Sequence, residues 1–241
     1  MNIQFFVVFH SNLFDECYAD IPQDILDKYF TFMAVNETIP KKYTENKYKV
    51  IKEWELPIYD KTFQERGYNE NSVLHHIYEN KLHSSYDWVG FFQYDMEIPC
   101  SMIENIEQGI STRTSPFYYA LFLLDFHKTT FTSWNDLESE TILQEYENFF
   151  KTPFSKDELY PLYNTYVLPI EIYEKIMKWV STLYEILYPK LIQTEYFHRF
   201  SNVHIGAVYE RIMGYAIAQE KLPHILLQLH HNHAYKNMSY S

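Results

Sequence analysis

The sequence predicts one α/β domain over residues 1–241, with a mostly parallel central sheet flanked by helices. Three observations predict it. Several runs are apolar throughout rather than alternating, which is the pattern of strands covered on both faces: IQFFVVFH (3–10), FTFMAVNE (30–37), WVGFFQYDM (88–96) and SPFYYALFLLDFH (115–127). Each ends on polar residues, as strands do where a sheet opens onto solvent. Stretches of helical periodicity separate them, and no Pro/Gly/Ser-rich linker, internal repeat or low-complexity tract divides the chain.

In chain order, residues 3–10 form the first strand and end at His10 and Ser11. DILDKYF reads as a helix with Pro22 near its start, and residues 30–37 as a second strand ending in Asn36 and Glu37. Residues 38–52 carry Lys41, Lys42, Lys47, Lys49 and Lys52, the densest basic patch, which is either a solvated loop or an attractor of diphosphate. GYNENSVLHHIYENKL (67–82) is a helix that Asn69 or Asn71 can cap. Its N-terminus suits an anion. After the strand ending in Gln93, Tyr94 and Asp95 comes a short amphipathic segment, SMIENIEQG, closed by Gly109. Residues 115–127 read as a buried strand reaching Asp125 and His127, and 135–150 as an acidic helix. LYNTYVLPI is a short strand leading into the long helix IEIYEKIMKWVSTLYEILYPKL. A last helix at about 205–220 precedes the strand-like ILLQLHHNH.

Composition narrows the function. A net charge of −12 argues against general nucleic-acid binding, which needs a clustered basic surface. The N-terminal stretch has no basic region or small-residue cleavage site, and no apolar run approaches the roughly 20 residues of a membrane span. Cys17 and Cys100 lack the spacing of a thiolate metal site or a disulfide framework, so a cytoplasmic setting is expected. With 23 tyrosines and 18 phenylalanines against 5 glycines, packed aromatic layers are expected, with sugar-stacking surfaces as the alternative.

The chemistry concentrates at Asp95. A carboxylate at a strand end binds a hard divalent cation, and that cation clamps the two phosphates of a nucleoside diphosphate. Departure of the diphosphate from a sugar develops negative charge, which a metal stabilises. The usual arrangement is Asp-x-Asp, whereas this chain has Gln93, Tyr94 and Asp95. LHHNHAY offers imidazoles to complete a Mn²⁺ or Mg²⁺ site, and His231 and His233 would share one face of a strand. Solvated tail histidines are the other reading of His230, His231 and His233.

Four stretches carry a resemblance to GT-A-type glycosyltransferases, similar to bacterial capsular-polysaccharide glycosyltransferases and to those of large DNA viruses. They are VVFH (7–10), WVGFFQYDM (88–96), YNTYVLPIEIYEKIMKWVSTLYEIL (163–187) and IGAVYERIMGYAIAQE (205–220). In the bacterial relatives the second stretch typically ends in His-Tyr-Arg, so Gln-Tyr-Asp is a departure that bears on metal dependence. The resemblance implies a nucleoside-diphosphate-sugar donor, a glycan acceptor and a carboxylate sharing its metal with a late histidine, here Asp95 with His231 or His233. It also implies a general base in the late helix, Glu210, if the reaction inverts the anomeric centre; Asp125 is the second choice, and a structural ion pair with Arg211 or another Arg is the other reading of Glu210.

Donor contacts are expected from His10, Ser11, Asn36, Glu37, Arg66, Asn71, Gln93 and Tyr94, with capping or structural pairing as the alternative for His10, Asn36 and Glu37. Tyr163, Tyr166 and Trp179 are either an acceptor platform or core. Two further classes stay open: a non-catalytic nucleotide- or carbohydrate-binding module, which binds without turnover, and a structural interaction protein, which binds no nucleotide.

Overall fold

A computed structural model describes residues 1–125, 136–194, 197–198 and 202–232. Its centre is a seven-stranded sheet built from β1 (Ile3–Phe9), β2 (Phe30–Ala34), β3 (Val50–Lys52), β4 (Trp88–Gln93), β6 (Tyr118–Ala120), β9 (Tyr166–Pro169) and β10 (His224–Leu226). The strand order is β10-β6-β9-β4-β1-β2-β3. β1 pairs in parallel with β2 (Val7↔Phe32) and with β4 (Val7↔Phe92). Only β9 runs against its neighbours β4 and β6. Its start therefore lies at the edge where the parallel strands end.

The helices are α1 (Gln23–Tyr29), α2 (Thr62–Glu65), α3 (Glu70–Glu79), α4 (Cys100–Thr112), α5 (Asp136–Phe150), α6 (Ile170–Leu191) and α7 (Asn202–Gln219). Alternation along β1 divides the core between the two faces of the sheet. Phe5, Val7 and Phe9 pack with Leu26 of α1 and Met102 and Ile106 of α4. Phe6 and Val8 pack with Ile77 of α3, Trp179 of α6 and Ile212 of α7. All seven residues of β1 are buried, which is why it shows no polar alternation. Its one polar member, Gln4, donates to the Tyr29 carbonyl at 2.7 Å.

Two expectations change, and one open alternative is decided. The amphipathic segment does not stop at Gly109: α4 continues to Thr112, and Gly109 lies inside it, where the Tyr119 hydroxyl fills the space a side chain would need. The run 115–127 is not one strand. It leaves the sheet after Ala120, where the Leu121 N–H bonds the Thr165 carbonyl at 3.1 Å, and re-forms as β7 (Leu123–Asp125). β7 pairs only with β8 (Leu159–Pro161), so Asp125 ends a separate two-stranded ladder rather than a strand of the central sheet. Tyr166 and Trp179 are buried and belong to the core, not to a sugar platform. His127 and His233 lie outside the described residues.

Candidate active site

The edge where β1, β2 and β4 end collects most of the polar residues expected there. The Tyr94 N–H donates to the Val8 carbonyl at 3.0 Å, extending the β1–β4 pairing by one residue. Asp95 is the first residue off that ladder. The chain then forms β5 (Met96–Glu97), which pairs antiparallel with β11 (His230–His231), His231 opposite Met96. This ribbon carries His231 back onto Asp95: Nε2 lies 2.9 Å from Oδ2. The Asn232 N–H donates to the Asp95 carbonyl at 3.0 Å, and the Asn232 side chain to Glu97 at 2.7 Å. Asp95 is 2% exposed, and its Oδ1 is buried with no hydrogen-bond partner among the described residues. An orphaned carboxylate oxygen is costly to bury, so it marks a place where a positive ligand fits.

Beside this pair stands Tyr163, its ring centroid 5.4 Å from that of His231. Tyr163 and Asn164 precede β9, and both have left-handed backbones with φ of 64° and 45°. The Tyr163 N–H donates to Oε1 of the half-buried Glu210 on α7. Tyr163 thus touches Glu210 through its backbone and, through its ring, the His231 that meets Asp95.

Along the edge toward β2, His10 is buried and lies 3.0 Å from Glu70. That contact is not legible in the sequence; its one signal is an acidic residue at the start of α3, where the helix dipole favours it. Glu70 thereby stands at the helix end expected to receive an anion. Ser11 is buried, donates to Asn12 at 3.1 Å and accepts the Lys42 N–H on its carbonyl at 3.0 Å. Asn36 has φ 62° and receives the Thr38 hydroxyl at 2.8 Å, whereas Glu37 is exposed. Lys41 donates to the carbonyls of Asn36, at 2.6 Å, and Ile39, and burial holds its pKa down to about 8. Other lysines of the basic patch have carboxylate partners: Lys47 with Asp15 and Lys52 with Glu55.

Gln93 is half-buried, and Tyr94 is buried against Phe14. Two expected donor contacts are engaged within the chain. Arg66 pairs with Glu185 at 3.2 Å and stacks on Tyr188. Asn71 is buried, donates to the Gly206 carbonyl at 3.0 Å and accepts from Asn164 at 3.4 Å, so it ties α3 to α7 and to the turn before β9.

No protein-family model matches the sequence, and no curated protein matches it. Solved structures do. The bifunctional glycosyltransferase WbbM, in its apo form, superposes with a TM-score of 0.61 at 13% identity, over 95% of this chain and 45% of that one. The chain has a GT-A-type glycosyltransferase fold. It spans a little under half the length of WbbM. Glucosyl-3-phosphoglycerate synthase of Mycobacterium tuberculosis, crystallised with Mn²⁺, UDP-glucose and phosphoglyceric acid, overlaps at TM-score 0.43 and 13% identity, over 95% of this chain and 71% of that one. The galactosyltransferase LgtC with donor and acceptor sugar analogues gives 0.39 and 10% identity, over 91% and 72%. Both overlaps are too loose to bear an argument.

Within the GT-A-type fold, the Asp95–His231 pair lies off the end of β4. Among the described residues no set of three His, Cys, Asp or Glu side chains forms a metal cluster, so this pair would supply two ligands and leave the rest to others. A hollow of about 370 Å³ between α4 and β10, lined by Met102, Tyr119 and Leu226, shares no residue with this group. No helix among the described residues is long and apolar enough to cross a membrane.

Proposed function

We propose that this chain is a glycosyltransferase that moves a sugar, UDP-linked by preference, from a nucleoside diphosphate to a hydroxyl of a glycan. The observation that carries the reading is Asp95: a buried carboxylate just off the central strand, paired with His231 and with one oxygen that no described residue satisfies. These residues fit a hard divalent cation, Mn²⁺ or Mg²⁺, with carboxylate oxygen and imidazole nitrogen as donors. When bound, such a cation neutralises the charge that develops on the departing diphosphate. His10, Ser11, Asn36 and Glu37, at the ends of β1 and β2, are assigned to the nucleoside, and Gln93 and Tyr94 to the floor beneath the diphosphate. Lys41 joins them as a half-buried cation beside Asn36.

Glu210 is assigned the acceptor side. One of its oxygens receives the Tyr163 N–H, and a carboxylate can keep that bond while its charge draws a proton from an acceptor hydroxyl. Asp125, on the outlying ladder, is the second choice. Cytoplasmic residence belongs to the same reading, supported by two unbridged cysteines, Cys17 and Cys100.

The test is a thermal-shift titration with UDP, with and without Mn²⁺, on the parent and on Asp95→Asn, followed by a transfer assay with a panel of UDP-sugars. UDP at 100 times its dissociation constant stabilises the parent by about 2.7 kcal/mol. Mn²⁺ should strengthen UDP binding to the parent and much less to the variant. Glu210→Gln, whose amide oxygen still accepts the Tyr163 N–H, should lower transfer by about 10²–10⁴-fold with UDP affinity kept. UDP binding with no turnover of any sugar nucleotide would leave a binding module instead of an enzyme.

A further inference from the structure

The turn at Tyr163 and Asn164 is an outlier that the proposed chemistry does not use. A bulky residue with positive φ is rare, and two non-glycine residues in succession are rarer. Such backbone persists only where the surroundings over-determine it, and it gathers at functional sites. Here the surroundings do so from several directions. Glu210 of α7 takes the Tyr163 N–H. The Thr165 hydroxyl donates to the Tyr163 carbonyl at 2.9 Å. The Asn164 side chain donates to Asn71 of α3 at 3.4 Å, and the Thr165 carbonyl receives the Leu121 N–H at 3.1 Å.

The product of this constraint is the placement of one ring. Tyr163 is lodged between Phe122, at 5.0 Å and 65°, and His231, at 5.4 Å and 66°. Both contacts are edge-to-face, the favoured geometry of aromatic pairs. No hydrogen bond of the Tyr163 hydroxyl to a described residue accompanies them. The β5–β11 ribbon that carries His231 is two residues long on each strand, and the Asn232 bonds to Asp95 and Glu97 hold the ribbon rather than the imidazole.

We propose that Tyr163 is a positioning residue: its ring, held out by the left-handed turn, fixes the His231 imidazole against Asp95 so that the two stand as a preformed pair of cation ligands. The metal-affinity part rests on the cation reading given above. The orientation of His231 does not, because it is a property of the metal-free chain. Groups that orient a metal ligand without touching the metal typically contribute 10–100-fold in affinity.

Two measurements on the full chain test this. The first is Mn²⁺ alone, titrated by electron paramagnetic resonance into the parent, Tyr163→Phe, Tyr163→Gly, Tyr163→Asn and Asp95→Asn. Phe keeps the ring and should bind Mn²⁺ within about twofold of the parent. Gly and Asn both accept the left-handed backbone but remove the ring, and should bind about 10–100-fold more weakly. The second is the ring resonances of His231 in metal-free protein, which should be unchanged in Tyr163→Phe and shifted toward averaged values in the Gly and Asn variants. Parental Mn²⁺ affinity in both ring-less variants, with binding lost in Asp95→Asn, overturns the positioning role and spares the cation site. Unchanged Mn²⁺ binding in Asp95→Asn removes the cation reading. The positioning role is then decided by the His231 resonances, and unchanged resonances in Gly and Asn overturn it.

Discussion

Two glycines of the same helix make opposite predictions, and the structure supplies the reason. In α7, which carries Glu210, a Cβ at Gly214 would stand 2.1 Å from the Pro161 carbonyl oxygen and 3.1 Å from a ring carbon of Tyr160. The obstacle is backbone of β8, which no side-chain rotation relieves; reaching ordinary contact needs a shift of more than about 1 Å. A Cβ at Gly206 would meet the Asn69 side-chain amide at 2.7 Å and the Gly67 carbonyl at 3.3 Å. That amide is the end of a side chain that can turn aside. Alanine gains about 1 kcal/mol of helix propensity at either position. Overpacking costs about 1–3 kcal/mol, and a backbone clash belongs at the upper end. Gly214→Ala should therefore lose about 2 kcal/mol net, lowering Tm by roughly 4–8 °C for a chain of this size. Gly206→Ala should be neutral or gain up to about 1 kcal/mol. Urea unfolding followed by far-ultraviolet circular dichroism, with equal m-values, gives the comparison directly. Equal stability of the two variants would refute the argument, since it would mean that α7 and β8 do not approach as closely as 2.1 Å implies.

Two further outcomes follow from buried polar groups away from the proposed cation. Glu53 is fully buried and receives Gln64 at 2.8 Å, His76 Nδ1 at 2.7 Å and the Ser72 hydroxyl, while His76 Nε2 accepts the Asp60 N–H at 3.0 Å; Glu53→Ala strands three donors and should cost at least about 3 kcal/mol in urea unfolding, and a loss below about 1 kcal/mol would contradict it. Lys41 releases its proton near pH 8 in the folded chain, against an ordinary lysine value of 10.5, so between those values the unfolded chain holds more protons and this group's contribution to stability rises with pH. Lys41→Met should flatten the stability profile across that window, and an unchanged slope in parent and variant would show that the ammonium is not held in a buried setting.

How much was legible in the sequence differs from residue to residue for physical reasons. β1, β2 and β4 were legible because burial on both faces leaves uniformly apolar runs, and α6 because Tyr173, Ile176, Trp179 and Val180 repeat at helical spacing. The split of residues 115–127 was not, because β6 and β7 are both apolar and the break is made by a partner, the Thr165 carbonyl, from elsewhere in the chain. Asp95 could be picked out as a carboxylate ending an apolar strand, and His231 as an imidazole in a strand-like tail; their 2.9 Å approach needed the ribbon between β5 and β11. Asn71 misled for the opposite reason. A polar residue near a helix start looks available for a ligand, yet tertiary packing engages it with Gly206 and Asn164. The left-handed turn had only a weak signal: Asn164 is of a type that tolerates positive φ, but nothing in the sequence announces the same backbone at Tyr163.

The ribbon of β5 and β11 also sets when the site comes into being. Asp95 and His231 are separated by 136 positions, so the first emerges from the ribosome long before the second. By then β1, β2 and β4 can already have paired, because their contacts lie within the first half of the chain. Contacts so distant in sequence form late, since their closure entropy must be met before they return anything. During synthesis there is thus a period when β1, β2 and β4 can pair but Asp95 and His231 cannot. A growing chain in that state has Asp95 at the strand end but no imidazole to meet it, and on the proposed reading a partly made protein would hold neither metal nor sugar nucleotide out of reach of finished copies.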